Sequence, residues 1–226
     1  MGDHVAFFYG TLMAPAVLFR VCHGNSKPAQ VLVDLINIRP AVLHGHERRR
    51  VVGMDYPGMI PSSPSSSVRG TVVTGLTDGD IWRLDIFEGS EYTRQKVKVR
   101  VLEKTGDART GDGNVEGEEL EAETYIWTAS GAKLENREWD FAEFQSEKMR
   151  YWVSEEGTGE YAGRESFLGL LKPCSSLMIA NPETEVDEAV RDRKNDGTGG
   201  RGMDSAIAKV LEQDSQRGKE ILGSAV

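Results

Sequence analysis

Hydrophobic positions along the 226-residue chain fall into short runs separated by glycine, proline and charged stretches. Val5, Ala6, Phe7, Phe8 and Tyr9 form a continuous apolar run that reads as a buried strand and breaks at Gly10, Thr11 and Leu12. A helical stretch is expected at 14–23, opening near Pro15. Residues 30–39 and 41–52 are β-branched and apolar enough for two strands separated by Pro40, and 68–76 for another. The proline- and serine-rich segment 57–67 between them predicts a loop that packs against nothing. Residues 92–102 alternate, with Val97, Val99 and Val101 inward against Lys96, Lys98 and Arg100 outward. A glycine-rich, acidic excursion is expected at 103–121, with a returning strand at 122–128 that places Tyr125 and Trp127 on one face. Many strands around one central helix predict an α+β fold.

That helix carries the candidate chemistry. Thr77 and Asp80 have the spacing of a capping box, and Gly89 supplies a stop. Between them Ile81, Leu84 and Glu88 sit at i, i+3 and i+7, one stripe of a helix. A carboxylate on a buried stripe is disfavoured by desolvation, and in the last turn the helix dipole opposes it as well. Both effects raise its pKa toward the range in which a general acid/base works. The alternative is a solvated residue at a fraying helix end, and spacing alone leaves both open. Asp85, near the same stripe, competes for the role. The strand that stops at Gly10 complements this carboxylate, because glycine leaves backbone N–H groups open to an anion or a carbonyl oxygen. An ordinary strand-to-loop turn fits the same residues.

Toward the C-terminus, residues 136–153 predict an amphipathic helix with Phe141, Phe144 and Trp152 on its apolar face, and 160–171 a further helix before Pro173. Residues 181–226 hold no aromatic side chain, many charges and the run Gly197-Thr-Gly-Gly-Arg-Gly202. This segment is expected to be flexible, or a loosely attached helix around 203–217 that is dispensable for chemistry. The chain divides into a main domain at 1–155, a helical extension at 156–180 and an acidic tail at 181–226.

Composition narrows the function. Charged residues are 28% and hydrophobic ones 38%, ordinary for a soluble domain, and no apolar run nears the ~20 residues a membrane span needs. No leader is readable at the N-terminus, and Cys22 and Cys174 stand far apart, which fits a reducing cytoplasm. The net charge of −9 speaks against nucleic acid, and Arg48-Arg49-Arg50 reads as a solvated strand edge. His44 and His46 share a strand face but lack a third ligand, so no metal is expected. The acidic loop of Asp107, Asp112, Asn114 and Glu116 lacks EF-hand spacing. No Gly-x-Ser-x-Gly elbow or Cys–His pairing supports a nucleophilic enzyme.

Tyr9-Gly10-Thr11-Leu12 after a first strand, then Leu84-Asp85-Ile86-Phe87-Glu88-Gly89 with Glu91, Tyr92 and Arg94, resembles the gamma-glutamylcyclotransferase-like superfamily. It is most similar to the plant and fungal branch named for avirulence-induced genes, near gamma-glutamylamine cyclotransferase. Leu43 to Arg48, Tyr56 to Pro61 and Trp139 to Phe144 extend the resemblance, which spans roughly 4–155. It implies a small mixed β-barrel with a few packed helices. It also implies an enzyme of the acyltransferase or lyase class that closes a gamma-glutamyl compound to 5-oxoproline. Glu88 is then the acid/base, and the turn from Tyr9 through Gly10, Thr11, Leu12, Met13 and Ala14 binds substrate. Tyr92 and Tyr125 are candidate pocket residues, with Asp85 behind Glu88. The small gamma-glutamyl molecule is the expected partner and no cofactor is required. A binding module that has lost turnover, or an acyl-transfer enzyme of specialised metabolism, are the alternatives.

Overall fold

A computed structural model of the chain describes residues 2–107, 110–153, 197–203 and 205–223. Among the described residues there are seven strands: β1 (His4–Phe8), β2 (Asn37–His44), β3 (His46–Arg50), β4 (Pro57–Pro61), β5 (Ser67–Leu76), β6 (Tyr92–Lys104) and β7 (Val115–Trp127). Five of them close a barrel in the order β1-β5-β2-β6-β7, and β3 and β4 pair in a separate hairpin. Only the β1–β7 seam, Ala6 opposite Glu123, is parallel; the other four contacts are antiparallel, so the barrel is mixed. The helices are α1 (Pro15–His23), α2 (Gln30–Val33), α3 (Asp78–Glu88), α4 (Phe141–Glu143) and α5 (Ala206–Gly223).

The two-residue period of β1 divides the core. Phe7 and Tyr9 point into a cluster with Leu43, Met59, Val72 and Val99, while Ala6 and Phe8 join one with Leu18, Leu76, Leu84 and Phe87 beneath α1 and α3. The inward valines of β6 behave as their alternation predicts, with Val99 fully buried and Val101 nearly so. The capping box of α3 forms as read: the Thr77 side chain accepts from Asp80 N–H, and Asp80 accepts from Thr77 N–H. Gly89, at φ +70°, ends the helix.

Several sequence expectations change. Residues 30–33 are a helical turn, since the Leu32 and Asp34 N–H groups bond back to Ala29 and Gln30. Val31 there faces solvent, so β-branching without a buried face did not make a strand. Pro40 lies inside β2 opposite Thr71, and β2 meets β6 only at Ala41 and Val42, so the proline stands beyond that ladder. The break falls instead at Gly45, φ +73°. Residues 57–61, expected to be loop, are β4, with Pro57, Gly58 and Met59 buried. The acidic excursion shortens because β7 already begins at Val115.

The long helix at 136–153 is broken into pieces. Arg50 N–H bonds to Arg137 O, and Glu135 N–H to Arg50 O, which holds 135–137 extended. Asp140 then caps a new start by accepting from the Ala142 and Glu143 N–H groups. One turn of α-helix passes into a π-helical turn at Phe144–Lys148 and a 3₁₀ turn at Met149–Tyr151. This irregular path lets Trp139, Phe141, Phe144 and Trp152 pack ring against ring. The expected helix at 160–171 and the rest of the proposed extension lie outside the described residues. No described helix is long and apolar enough to cross a membrane.

Candidate active site

The end of β1 and the end of α3 meet at one cleft, partly open to solvent. Tyr9, Tyr56, Tyr92 and Tyr125 wall it with Phe87 and Pro57, the backbone of Gly10, Thr11 and Leu12 forms one rim, and Glu88 and Arg201 face in.

Three of the tyrosines are anchored by long-range bonds. Tyr9 OH donates to Tyr125 O at 2.6 Å and Tyr92 OH to Pro57 O at 2.9 Å. Tyr125 OH donates to Asp85 Oδ1 at 2.8 Å. Burial keeps Tyr9, Tyr92 and Tyr125 protonated by driving their pKa values up, with Glu88 adding to the effect. They act as neutral, fixed walls. Arg48 Nη1 donates to Tyr9 O at 2.8 Å, and the planar trans peptide then aims Gly10 N–H the opposite way. This corrects the reading of Arg48 as a solvated edge: its side chain is 8% exposed, lies 5.3 Å from the Trp139 ring and reaches Glu138.

Gly10 has φ −117° and ψ −142°, outside the left-handed region. The demand for glycine is spatial, because a Cβ there would press on the Pro57 ring at 3.1 Å.

Glu88 is half-buried as a residue, but its carboxyl group sits among the rings. Burial pushes its pKa up to about 7; Arg201 pulls against this shift and Asp85 adds to it. At neutral pH the group is therefore shared between its two protonation states, as a proton carrier requires.

Of the residues singled out in the sequence, Tyr9, Gly10, Thr11, Leu12, Glu88, Tyr92 and Tyr125 line the cleft. Met13 and Ala14 belong to the same turn but do not line it; their N–H groups close the turn on Gly10 O and Thr11 O. Asp85 is exposed on the outer side, held by Arg94 Nε at 3.0 Å. Sequence reasoning missed Phe7, Phe8, Tyr56, Pro57, Phe87 and Arg201. Among the described residues no group of three or more His, Cys, Asp or Glu is placed to hold a metal. His44 and His46 engage Glu116 and His44 O instead.

Arg201 departs most from expectation. The segment read as a loose tail puts this side chain, 5% exposed, against the end of α3. Its docking uses a guanidinium and closely packed glycines, which a search for apolar surface does not register.

Residues 6–141 match the family model described as gamma-glutamyl cyclotransferase, AIG2-like. Among curated proteins, Protein AIG2 C of Arabidopsis thaliana is 32% identical over 144 residues, covering 63% of this chain and 73% of its own length. Protein AIG2 B of the same plant is 32% identical over 151 residues, covering 67% and 76%. A solution structure from Arabidopsis thaliana shares 30% identity over 63% of this chain and 72% of that one, with a TM-score of 0.42. With the family model matching more than half of its length, the chain belongs to the AIG2-like gamma-glutamyl cyclotransferase family.

Proposed function

We propose that the protein is a cyclotransferase that releases 5-oxoproline and an amine from a small gamma-glutamyl compound, with Glu88 as the proton carrier. The observation that carries this reading is a carboxyl group poised at about 7 across a narrow cleft from the Tyr9–Leu12 backbone. The substrate contains its own nucleophile. Ionised Glu88 takes a proton from the α-ammonium, and the freed nitrogen lone pair attacks the γ-carbonyl carbon. The bond from that carbon to the leaving nitrogen then breaks. The two protons shed by the ring nitrogen end on the leaving nitrogen, one delivered by Glu88, so the amine departs as an ammonium and the ring closes as a lactam. No external nucleophile enters.

Folding the substrate back on itself is the larger task. Well-oriented intramolecular closures reach effective molarities of ~10⁵–10⁸ M. The tyrosine rings supply rigid walls for that folded shape, and the N–H groups of the Gly10 turn are the donors for the developing oxyanion or the substrate carboxylate. Incubation with a panel of gamma-glutamyl amides, amines and peptides, assayed for 5-oxoproline, tests the reading. Release from at least one class is expected, and none from any class would refute it.

Bulk at the turn should abolish binding. In Gly10→Val, a branched side chain meets Pro57 and fills the rim. Calorimetric titration of 5-oxoproline into this variant should show no heat of binding while circular dichroism stays native. Wild-type affinity would make the turn merely structural.

A further inference from the structure

We propose that Arg201, delivered by a strap from the C-terminal segment, is a positioning residue for Glu88, fixing the end of α3 and bringing a permanent positive charge to the cleft. The role builds on the cyclotransferase reading, but the geometry that argues for it does not depend on turnover.

The last carbonyls of a helix lack partners within it, and α3 has no basic residue in its last turn. Arg201 supplies both needs from outside. Its Nε donates to Phe87 O at 2.8 Å and its Nη2 to Glu88 O at 2.6 Å, so one planar group grips two successive carbonyls. The guanidinium lies 4.3 Å from the Tyr56 ring centre and 5.7 Å from that of Tyr92, with Glu91 at 3.8 Å. This side chain cannot swing freely.

The strap itself is held from several sides. Arg20 of α1, also buried, donates from Nη2 to Arg201 O at 2.6 Å and from Nη1 to Met203 Sδ at 3.3 Å. Asp55 N–H donates to Gly197 O at 2.7 Å, and Thr198 is fully buried. Gly199, at φ +61°, sits so close to Tyr56 that a Cβ would fall 2.6 Å from its hydroxyl. Behind the strap, α5 packs Leu211 into the core and places Ser215 against Arg83 of α3. Burying two guanidinium groups is costly. Arg20 spends its charge on the strap backbone, and the outcome is a fixed Arg201 at the cleft. Arg201 also lies outside residues 6–141, so this part of the site comes from beyond the segment matched to the family.

The charged and titratable groups around Glu88 are Arg201 on the strap, Asp85 on α3, Tyr9 after β1, Tyr56 before β4, Tyr92 on β6 and Tyr125 on β7, with Glu91 beyond Arg201. Among them Arg201 is the one that favours the ionised carboxylate.

The test uses the full-length chain with Arg201→Gln, which keeps a donor but loses the charge, and Arg201→Lys, which keeps the charge but not the fork. Carbon-13 titration of the Glu88 carboxyl needs no substrate. Arg201→Gln should raise its midpoint by about one pH unit and lower kcat about tenfold with a smaller change in KM, whereas Arg201→Lys should leave the midpoint near the wild-type value. An unchanged midpoint in a folded Arg201→Gln protein, or equal shifts in both variants, would overturn the role. If the midpoint shifts as expected but wild-type protein turns over no gamma-glutamyl compound, the proposed function fails and the positioning role stands.

Discussion

Replacing Glu88 with glutamine should lower kcat for 5-oxoproline release by about 10²–10⁴-fold, the usual contribution of a general acid/base, and at the same time stabilise the protein at alkaline pH. The second effect follows from the sign of the shift. The folded-state pKa is raised from 4.5 to about 7, so the folded protein resists ionisation that the unfolded chain accepts readily. Destabilisation therefore begins as pH rises above 4.5 and is complete above about 7, where it is on the order of 3 kcal/mol. Glutamine removes that cost. Thermal melts should show Glu88→Gln above wild type at pH 8, with the gap closing toward pH 4. A folded Glu88→Gln protein with full activity, alongside an inactive Asp85→Asn, would move the catalytic role to Asp85.

Removing the Trp152 side chain should be among the most damaging changes to the fold. Trp152 is fully buried and meets Phe87, Phe144 and Tyr56 edge-on at 6.1, 5.8 and 6.3 Å between ring centres. Trp152→Ala leaves a cavity behind two residues that line the cleft, and the expected loss is about 3–5 kcal/mol. The indole Nε1 has no hydrogen-bond partner among the described residues, so Trp152→Phe sacrifices packing without breaking a bond and should cost clearly less. Urea unfolding of the two variants measures both. Near-equal stability of Trp152→Ala and wild type would mean that this aromatic cluster does not support the site.

What could be read from the sequence was local. The cap of α3, its stop at Gly89 and the burial of Ile81 and Leu84 on one stripe are short-range signals, and all three are present. The alternation in β6 was equally plain, because one face of that strand is wet and the other dry. Long-range contacts were invisible. Nothing about Arg48 in a basic triplet signals that its head will hold the Tyr9 carbonyl. Nothing about Arg201 in a glycine run signals a site at Phe87 and Glu88, more than 100 positions earlier. The helix expected at 136–153 failed for a related reason. Of its expected apolar face Phe144 and Trp152 are buried and Phe141 partly so, but pairing of 135–137 with Arg50 and the Asp140 cap decided where helical turns could begin. Hydrophobic period reports which residues are buried, and tertiary hydrogen bonds decide the backbone path that buries them.

Two distant segments of the chain meet at one carboxyl group. The strand that stops at Gly10 forms one side of the cleft, a capped helix presents Glu88, and four tyrosines wall the space between them. The pH dependence of kcat/KM for 5-oxoproline release tests that union most directly. In the proposed reaction ionised Glu88 accepts the ammonium proton, so the rate should climb with pH along an acidic limb centred at about 7. A rate that stays level down to pH 5, with its limb near 4.5 where an unburied glutamate titrates, would contradict it.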